Sequence, residues 1–336
     1  MVKETQALRV AVAGGGSWGT ALGHQIALCG HSTRLVLRDA DVAHSIRTRH
    51  ENPRYLAGYP LCPALQATTD PQALAGQDVV VLAIPCQQVR AYLRAVRPLL
   101  SPGAVLVNAA KGLEADDCIT VGQIVAQELA DLQPHYAILS GPSFAVEVIK
   151  GHPTAVVLGC QDKSLGARLR AAFSSPRFRC YSSTDVVGVE LGGALKNVMA
   201  IAAGVSDGLG FGHNARAALI TRGLAEISRI GSARGARPLT FMGLSGLGDL
   251  TLTCTGDLSR NRQVGLRLGQ GESLAQIVAS LGMVAEGVKT TQAVHALATS
   301  LHVAAPITAA VHRILYENYA PRDAVAELMA RELKEE

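Results

Sequence analysis

Leu8-Arg9-Val10-Ala11-Val12-Ala13-Gly14-Gly15-Gly16-Ser17-Trp18-Gly19-Thr20-Ala21-Leu22 decides how this chain folds. Leu8 to Ala13 is an apolar run that alternates and then becomes continuous, as a buried strand does. Gly14, Gly16 and Gly19 follow at G-x-G-x-x-G spacing, and a helix-forming stretch comes next. Each glycine has its own physical task. Gly14 permits the tight turn, Gly16 lets the backbone approach a pyrophosphate, and Gly19 lets the helix pack closely on the strand. The free N–H groups at the helix start then face a diphosphate. A plain Gly-rich turn is the alternative, but the strand–turn–helix setting favours a dinucleotide site.

Further strands follow on schedule. Thr33 to Arg38 alternates and reads as the second strand. At its tip a dinucleotide fold reads the adenosine ribose, with a carboxylate for the 2′-OH of NAD or an arginine for the 2′-phosphate of NADP. Arg38 stands first and Asp39 second, which favours NADPH with NADH still open; an ordinary solvated charge is the other reading of Arg38. Asn52 to Leu56 reads as a loop. Asp78 to Ile84, Ala104 to Ala109 and Ala137 to Leu139 read as buried strands, and Ala155 to Leu158 and Phe178 to Tyr181 as two more, with a helix over 164–173 between them. Strands alternating with helices predict a doubly wound α/β sheet. Pro85, Lys111 and Ser140 to Ser143 then gather with the glycine turn and Arg38 beyond the strand ends, where such sheets bind ligands.

After about Thr184 the strand-like runs stop and helical periods take over. The expected organisation is a Rossmann-type dinucleotide-binding domain over 1–184 and an all-helical substrate-binding domain over 185–336. The first helix of the second part carries an apolar stripe of Leu191, Leu195, Val198 and Ala202 at helical spacing. Lys196 lies off that stripe, among Gly192, Gly193, Met199 and Ala200. It either reaches solvent or is enclosed in a cleft, where desolvation would make it a proton donor and acceptor; spacing alone favours solvent. Glycines 243, 246 and 248 predict a compact loop, with Asp249 in an unusually apolar setting. Ser259 reads as the N-cap of a helix, with Arg260 beside it as a planar cation for an anion. Leu274 to Arg331 reads as amphipathic helices, interrupted by a turn at Val284 to Gly287.

Composition narrows the classes. The chain has 336 residues, 48% hydrophobic and 17% charged, enough for two globular domains. A net charge of +4 without a Lys/Arg run argues against a nucleic-acid partner and suits a small anionic substrate. Seven scattered cysteines with no C-x-x-C pair argue against a disulfide framework or a structural metal. No stretch reads as long enough to cross a bilayer, and the polar start MVKETQ gives no signal peptide, so no membrane association and a cytoplasmic location are expected.

GGGSWGTAL, AIPCQ, NAAKGLE, SGPSFAVEV, ELGGALKNVMAIAAG, GLSGLGDLTLTCT, SRNR and VAEGVKT together resemble the signature segments of bacterial-type NAD(P)-dependent glycerol-3-phosphate dehydrogenase. The resemblance runs from residue 14 to about 290, and the LKN and GLGDL segments are its most specific parts. It implies reversible reduction of dihydroxyacetone phosphate to sn-glycerol 3-phosphate for phospholipid synthesis. Lys196 matches the catalytic lysine. Lys111, Gly141, Ser143, Asp249, Ser259, Arg260 and Asn261 match substrate contacts alongside it. Besides the glycine turn, Ser17, Trp18, Arg38, Lys111, Ala145, Arg260, Val284 and Glu286 match cofactor contacts. A homodimer is expected from the apolar helical half. Cys86 stands where the family usually has Ser, and Ala57 where it often has Pro. Two rivals are weighed: a two-domain dehydrogenase of hydroxy acids with its own lysine on the first helix after the sheet, and a protein that senses the nicotinamide redox ratio without turnover. Lys111, Lys196 and Asp249 together argue against the sensor, which has no need of a proton donor.

Overall fold

The computed structural model describes residues 7–281 and 285–332. The glycine stretch folds as β1 (Arg9–Ala13) followed by α1 (Ser17–Leu28). The chain continues through β2 (Ser32–Val36), α2 (Ala40–Arg49), β3 (Gln66–Thr68), β4 (Val79–Leu82), α3 (Val89–Val96), β5 (Val105–Asn108), α4 (Val121–Glu128), β6 (His135–Ser140), α5 (Ala145–Ile149), β7 (Thr154–Cys160), α6 (Lys163–Phe173) and β8 (Phe178–Ser183). These form one sheet of order β3-β2-β1-β4-β5-β6-β7-β8. Every neighbouring pair is parallel except β6 and β7, which run antiparallel with Ala137 opposite Cys160. Apolar side chains of β1, β2, β4 and β5 join those of α1 and α6 in one core, where Val10, Leu35, Val81, Val107, Leu22 and Phe173 meet almost no solvent.

Two details depart from the sequence expectation. β3, only three residues long, carries no apolar run and was not expected. The second strand ends at Val36, two residues before Arg38. Asp39 caps α2 by accepting from the Asp41 and Val42 amides, so the chain has to turn before it reaches that cap.

The chain divides into two compact units, Met1–Lys111 with Thr120–Val189, and Gly112–Ile119 with Glu190–Glu336. This differs from a division at 184/185. The strands end at Ser183, but the cut falls inside α7 (Val186–Gly208), a continuous 23-residue helix. By length and composition α7 could cross a membrane, contrary to the expectation that no stretch could. Its apolar window is 94% buried inside the protein, which makes it a core helix.

Among the described residues no strand follows β8. The second unit continues through α8 (His213–Ala233), α9 (Pro238–Phe241), a π-helical turn at Leu244–Gly248, α10 (Asp249–Thr255), α11 (Arg260–Gly269), α12 (Leu274–Leu281), α13 (Glu286–Ser300), α14 (Pro306–Tyr316) and α15 (Pro321–Met329). The glycines at 243, 246 and 248 therefore lead into a helix rather than forming a loop, and Asp249 is that helix's first residue. Glu286 and Gly287 open α13 instead of making a turn. α7 packs backbone to backbone on two neighbours. A Cβ at Gly204 would meet Arg262 O at 2.0 Å, and one at Gly192 would meet Ser245 O at 2.5 Å. These contacts set the first turn of α11 and the π-helical turn against the helix that carries Lys196.

Candidate active site

In the first unit the glycine turn has the shape a diphosphate needs. Gly14 has φ +117°, a conformation that L side chains rarely adopt, and its amide donates to Val36 O at 2.9 Å. A Cβ at Gly19 would lie 1.9 Å from Gly14 O, whereas one at Gly16 would meet nothing within 4 Å. So Gly19 seats the helix on the turn, and Gly16 leaves the backbone face open. No side chain caps α1, and its first turn holds no acidic residue, so those amides and the positive end of the helix dipole are available to an anion. The buried Trp18 Nε1 has no hydrogen-bond partner in the protein, a donor that a ligand would satisfy. These residues fit a dinucleotide. Gly19→Ala is expected to abolish cofactor binding, because a backbone oxygen cannot yield to a Cβ as a flexible side chain can; a titration with reduced cofactor checks it.

Around the turn, Arg38 is exposed and, among the described residues, makes no hydrogen bond or ion pair. Beyond β5, Lys111 Nζ donates to Gly141 O at 3.0 Å, and Ser143 Oγ donates to the same oxygen at 3.0 Å. Ala145 follows at the start of α5. Cys86 is buried where a one-turn helix begins after β4.

The second unit holds a buried ion pair. Lys196 is 6% exposed and Asp249 1%, with Nζ 3.0 Å from Asp249 Oδ1. Enclosure therefore wins over the solvated reading that spacing favoured. Lys196 Nζ also donates to Thr253 Oγ1 at 2.6 Å, and that hydroxyl donates to Asp249 O at 2.5 Å. Thr253 was not singled out from the sequence. Its position four residues after Asp249 on a helix was the available signal, since i and i+4 share a face. The carboxylate and the hydroxyl together fix the position of this lysine.

Ser259 caps α11 by accepting from the Arg262 amide at 3.2 Å. Arg260 and Arg262, two positions apart, differ completely. Arg262 donates to Asp207 Oδ2 at 2.8 Å and to Asp257 Oδ1 at 2.9 Å, and Asp207 is held on its other oxygen by Arg216 at 2.6 Å. Arg260 is exposed and, among the described residues, makes no hydrogen bond or ion pair. Arg262 therefore fastens the turn, and Arg260 is left for a ligand. Asn261 Oδ1 accepts from the Gly287 amide at 3.0 Å, tying this turn to the start of α13 beside Glu286. Val284 lies outside the described residues.

So the structure brings together Lys196 and Asp249, and separately Ser259, Arg260 and Asn261, within the second unit. It brings together Lys111, Gly141 and Ser143 within the first.

The family model for the N-terminus of NAD-dependent glycerol-3-phosphate dehydrogenase matches residues 9–166, and that for its C-terminus matches 185–326. The chain is 64% identical to a glycerol-3-phosphate dehydrogenase (NAD(P)+) of Desulfovibrio desulfuricans, over 98% of this chain and 99% of that one. It is 50% identical to the corresponding protein of Geobacter sulfurreducens, over 98% of each. The crystal structure of a glycerol-3-phosphate dehydrogenase from Coxiella burnetii superposes with a TM-score of 0.92 at 40% identity, covering 97% of this chain and 99% of that one.

Proposed function

The chain belongs to the NAD-dependent glycerol-3-phosphate dehydrogenase family, and from that membership we propose that it interconverts dihydroxyacetone phosphate and sn-glycerol 3-phosphate. The product would feed phospholipid synthesis. The observation that carries the reading is the enclosed Lys196, held by Asp249 and Thr253, in the same unit as a turn whose Arg260 has no partner among the described residues. A ketone that bears a phosphate needs these two groups: a proton donor for its oxygen and a cation for its tail.

The roles follow from the chemistry. When bound, NADPH or NADH would supply the hydride. Gly14, Gly16 and Gly19 with the start of α1 would hold its diphosphate, and the family resemblance implies Ser17, Trp18, Arg38, Lys111, Ala145, Arg260, Val284 and Glu286 as its other contacts. Arg260 grips the substrate phosphate, with Ser259 and Asn261 shaping the turn that presents it. Lys196 gives its proton to the forming alkoxide and takes one back in the reverse direction. Asp249 and Thr253 together aim Lys196. Lys111, steadied by the oxygen of Gly141 to which Ser143 also donates, is the further cation that the family resemblance assigns to cofactor and substrate. A cytoplasmic homodimer acting on this small molecule, without nucleic acid or membrane, completes the proposal.

Purified protein with NADPH is expected to oxidise it when dihydroxyacetone phosphate is added, read as loss of nicotinamide absorbance. Turnover with a keto acid in place of the phosphorylated ketone would overturn the substrate. Cofactor binding without turnover on either would make the chain a sensor.

A further inference from the structure

We infer that Arg54 is a second reader of the adenosine ribose, acting beside Arg38 to select the 2′-phosphorylated dinucleotide, NADPH, over NADH. The inference rests on the glycine turn being a dinucleotide site and assigns a residue and a direction of preference to it.

The loop from Asn52 to Leu56 is fastened to that turn. Asn52 is 0% exposed, and its Nδ2 donates to Gly15 O at 3.1 Å and to Thr20 Oγ1 at 2.8 Å. Its Oδ1 accepts from the Tyr55 amide at 3.2 Å, and Ser17 Oγ donates to Tyr55 O at 3.3 Å. Four hydrogen bonds on either side of Arg54 thus run between its loop and the cofactor turn or brace the loop itself. A buried asparagine with this many partners is expensive to misplace, so the loop does not drift from the turn.

Asp39 points the same way. In NAD-reading folds a carboxylate at the end of the second strand accepts from the ribose 2′-OH. Here Asp39 Oδ1 accepts from the amides of Asp41 and Val42, both at 3.1 Å, and Oδ2 takes Arg54 Nη1 at 2.9 Å. The Val42 amide first, and the Arg54 guanidinium next, hold its carboxyl below the usual range, so it remains an anion. Both oxygens are taken, and the carboxylate acts as a helix cap and an anchor for Arg54.

Arg38 stands beside Asp39 in the chain and Arg54 is paired to it, so two guanidinium groups accompany that carboxylate, with Asp41 a further acid in the first turn of α2. Arg54 uses Nη1 on Asp39, which leaves Nε and Nη2 as donors in the fixed fork that suits a phosphate. The Arg54 side chain is 62% accessible, so a ligand can reach those donors while Nη1 stays on Asp39.

The only tryptophan in the chain, Trp18, sits in the turn, so its fluorescence reports cofactor binding without turnover. Wild type, Arg54→Gln and Arg38→Gln are titrated with NADPH and with NADH, and thermal unfolding confirms that each variant is folded. The expected result is that Arg54→Gln reduces the preference for NADPH by about tenfold, the effect of losing one charge-assisted hydrogen bond. The KM ratio of the two cofactors in turnover should move alike, and raised salt should erode the wild-type preference. An unchanged ratio overturns the inference, as does an equal loss for both cofactors, which would mark Arg54 as structural. If neither cofactor alters Trp18 emission in the wild type, the dinucleotide reading itself fails.

Discussion

Replacing Lys196 by methionine is expected to lower kcat for ketone reduction by at least ~100-fold, the lower end for a lost acid–base group. Reduced-cofactor affinity, read from Trp18 fluorescence, should stay as in the wild type. The size of the effect follows from burial. At 6% exposure the ammonium has no bulk water beside it to take over the proton transfer. Methionine retains the length and apolar stem of the side chain but offers no proton. It also leaves Asp249, 1% exposed, as a carboxylate without its cation, and removing one member of a buried pair costs about 3–5 kcal/mol. Lost activity could then reflect unfolding. The double variant Lys196→Met with Asp249→Asn removes that stranded charge and should regain thermal stability while staying inactive. A single variant that turns over near the wild-type rate would take Lys196 out of the chemistry. A double variant that recovered activity along with stability would do the same.

The reasons why some of this was legible in one dimension, and some was not, lie in the range of the interactions. Val79 to Leu82 and Val105 to Asn108 are short apolar β-branched runs, and only a sheet covered on both faces has use for them. β3 has no such run, because a three-residue edge strand needs only one buried side chain, Ala67. The reversal at β7 is invisible for a different reason: the strand pattern of β6 and β7 is the same whichever way they pair. Only the connection differs, since it carries the short α5 where a parallel crossover usually has a longer helix. Ser259 was legible as a cap because a cap bonds within three residues. Lys196 was not legible as an enclosed group, because the Thr253 hydroxyl that holds it lies 57 positions away. Asn52 is the same case at smaller separation. It reads as an ordinary loop residue, and its partner Gly15 O is 37 positions upstream. The family resemblance supplied what spacing could not, by naming Lys196 before its surroundings were visible.

Replacing Arg260 by alanine should raise KM for dihydroxyacetone phosphate by roughly 10- to 100-fold, as expected for charged hydrogen bonds worth about 1.5–3 kcal/mol. The argument depends on its neighbour. Both arginines of the Ser259-Arg260-Asn261-Arg262 turn carry the same charge, so composition cannot assign the substrate phosphate to one of them. Arg262 bonds Asp207 through Nε at 2.8 Å and Asp257 through Nη1 at 2.9 Å, and its side chain is only 12% exposed. To reach a ligand it would have to leave Asp207 buried with only Arg216 as partner, at a cost similar to the binding it gained. Among the described residues Arg260 has no such commitment. Arg260→Lys should restore part of the affinity, since the charge returns but the planar fork does not. Because phosphate binding also positions the ketone, kcat should fall with the lost affinity for Arg260→Ala. Asp207→Asn should act through geometry: it loosens Arg262 and so the turn, raising KM without removing any group that touches substrate. If Arg260→Ala left KM unchanged while Arg262→Ala raised it without loss of thermal stability, the assignment of the two arginines would be reversed.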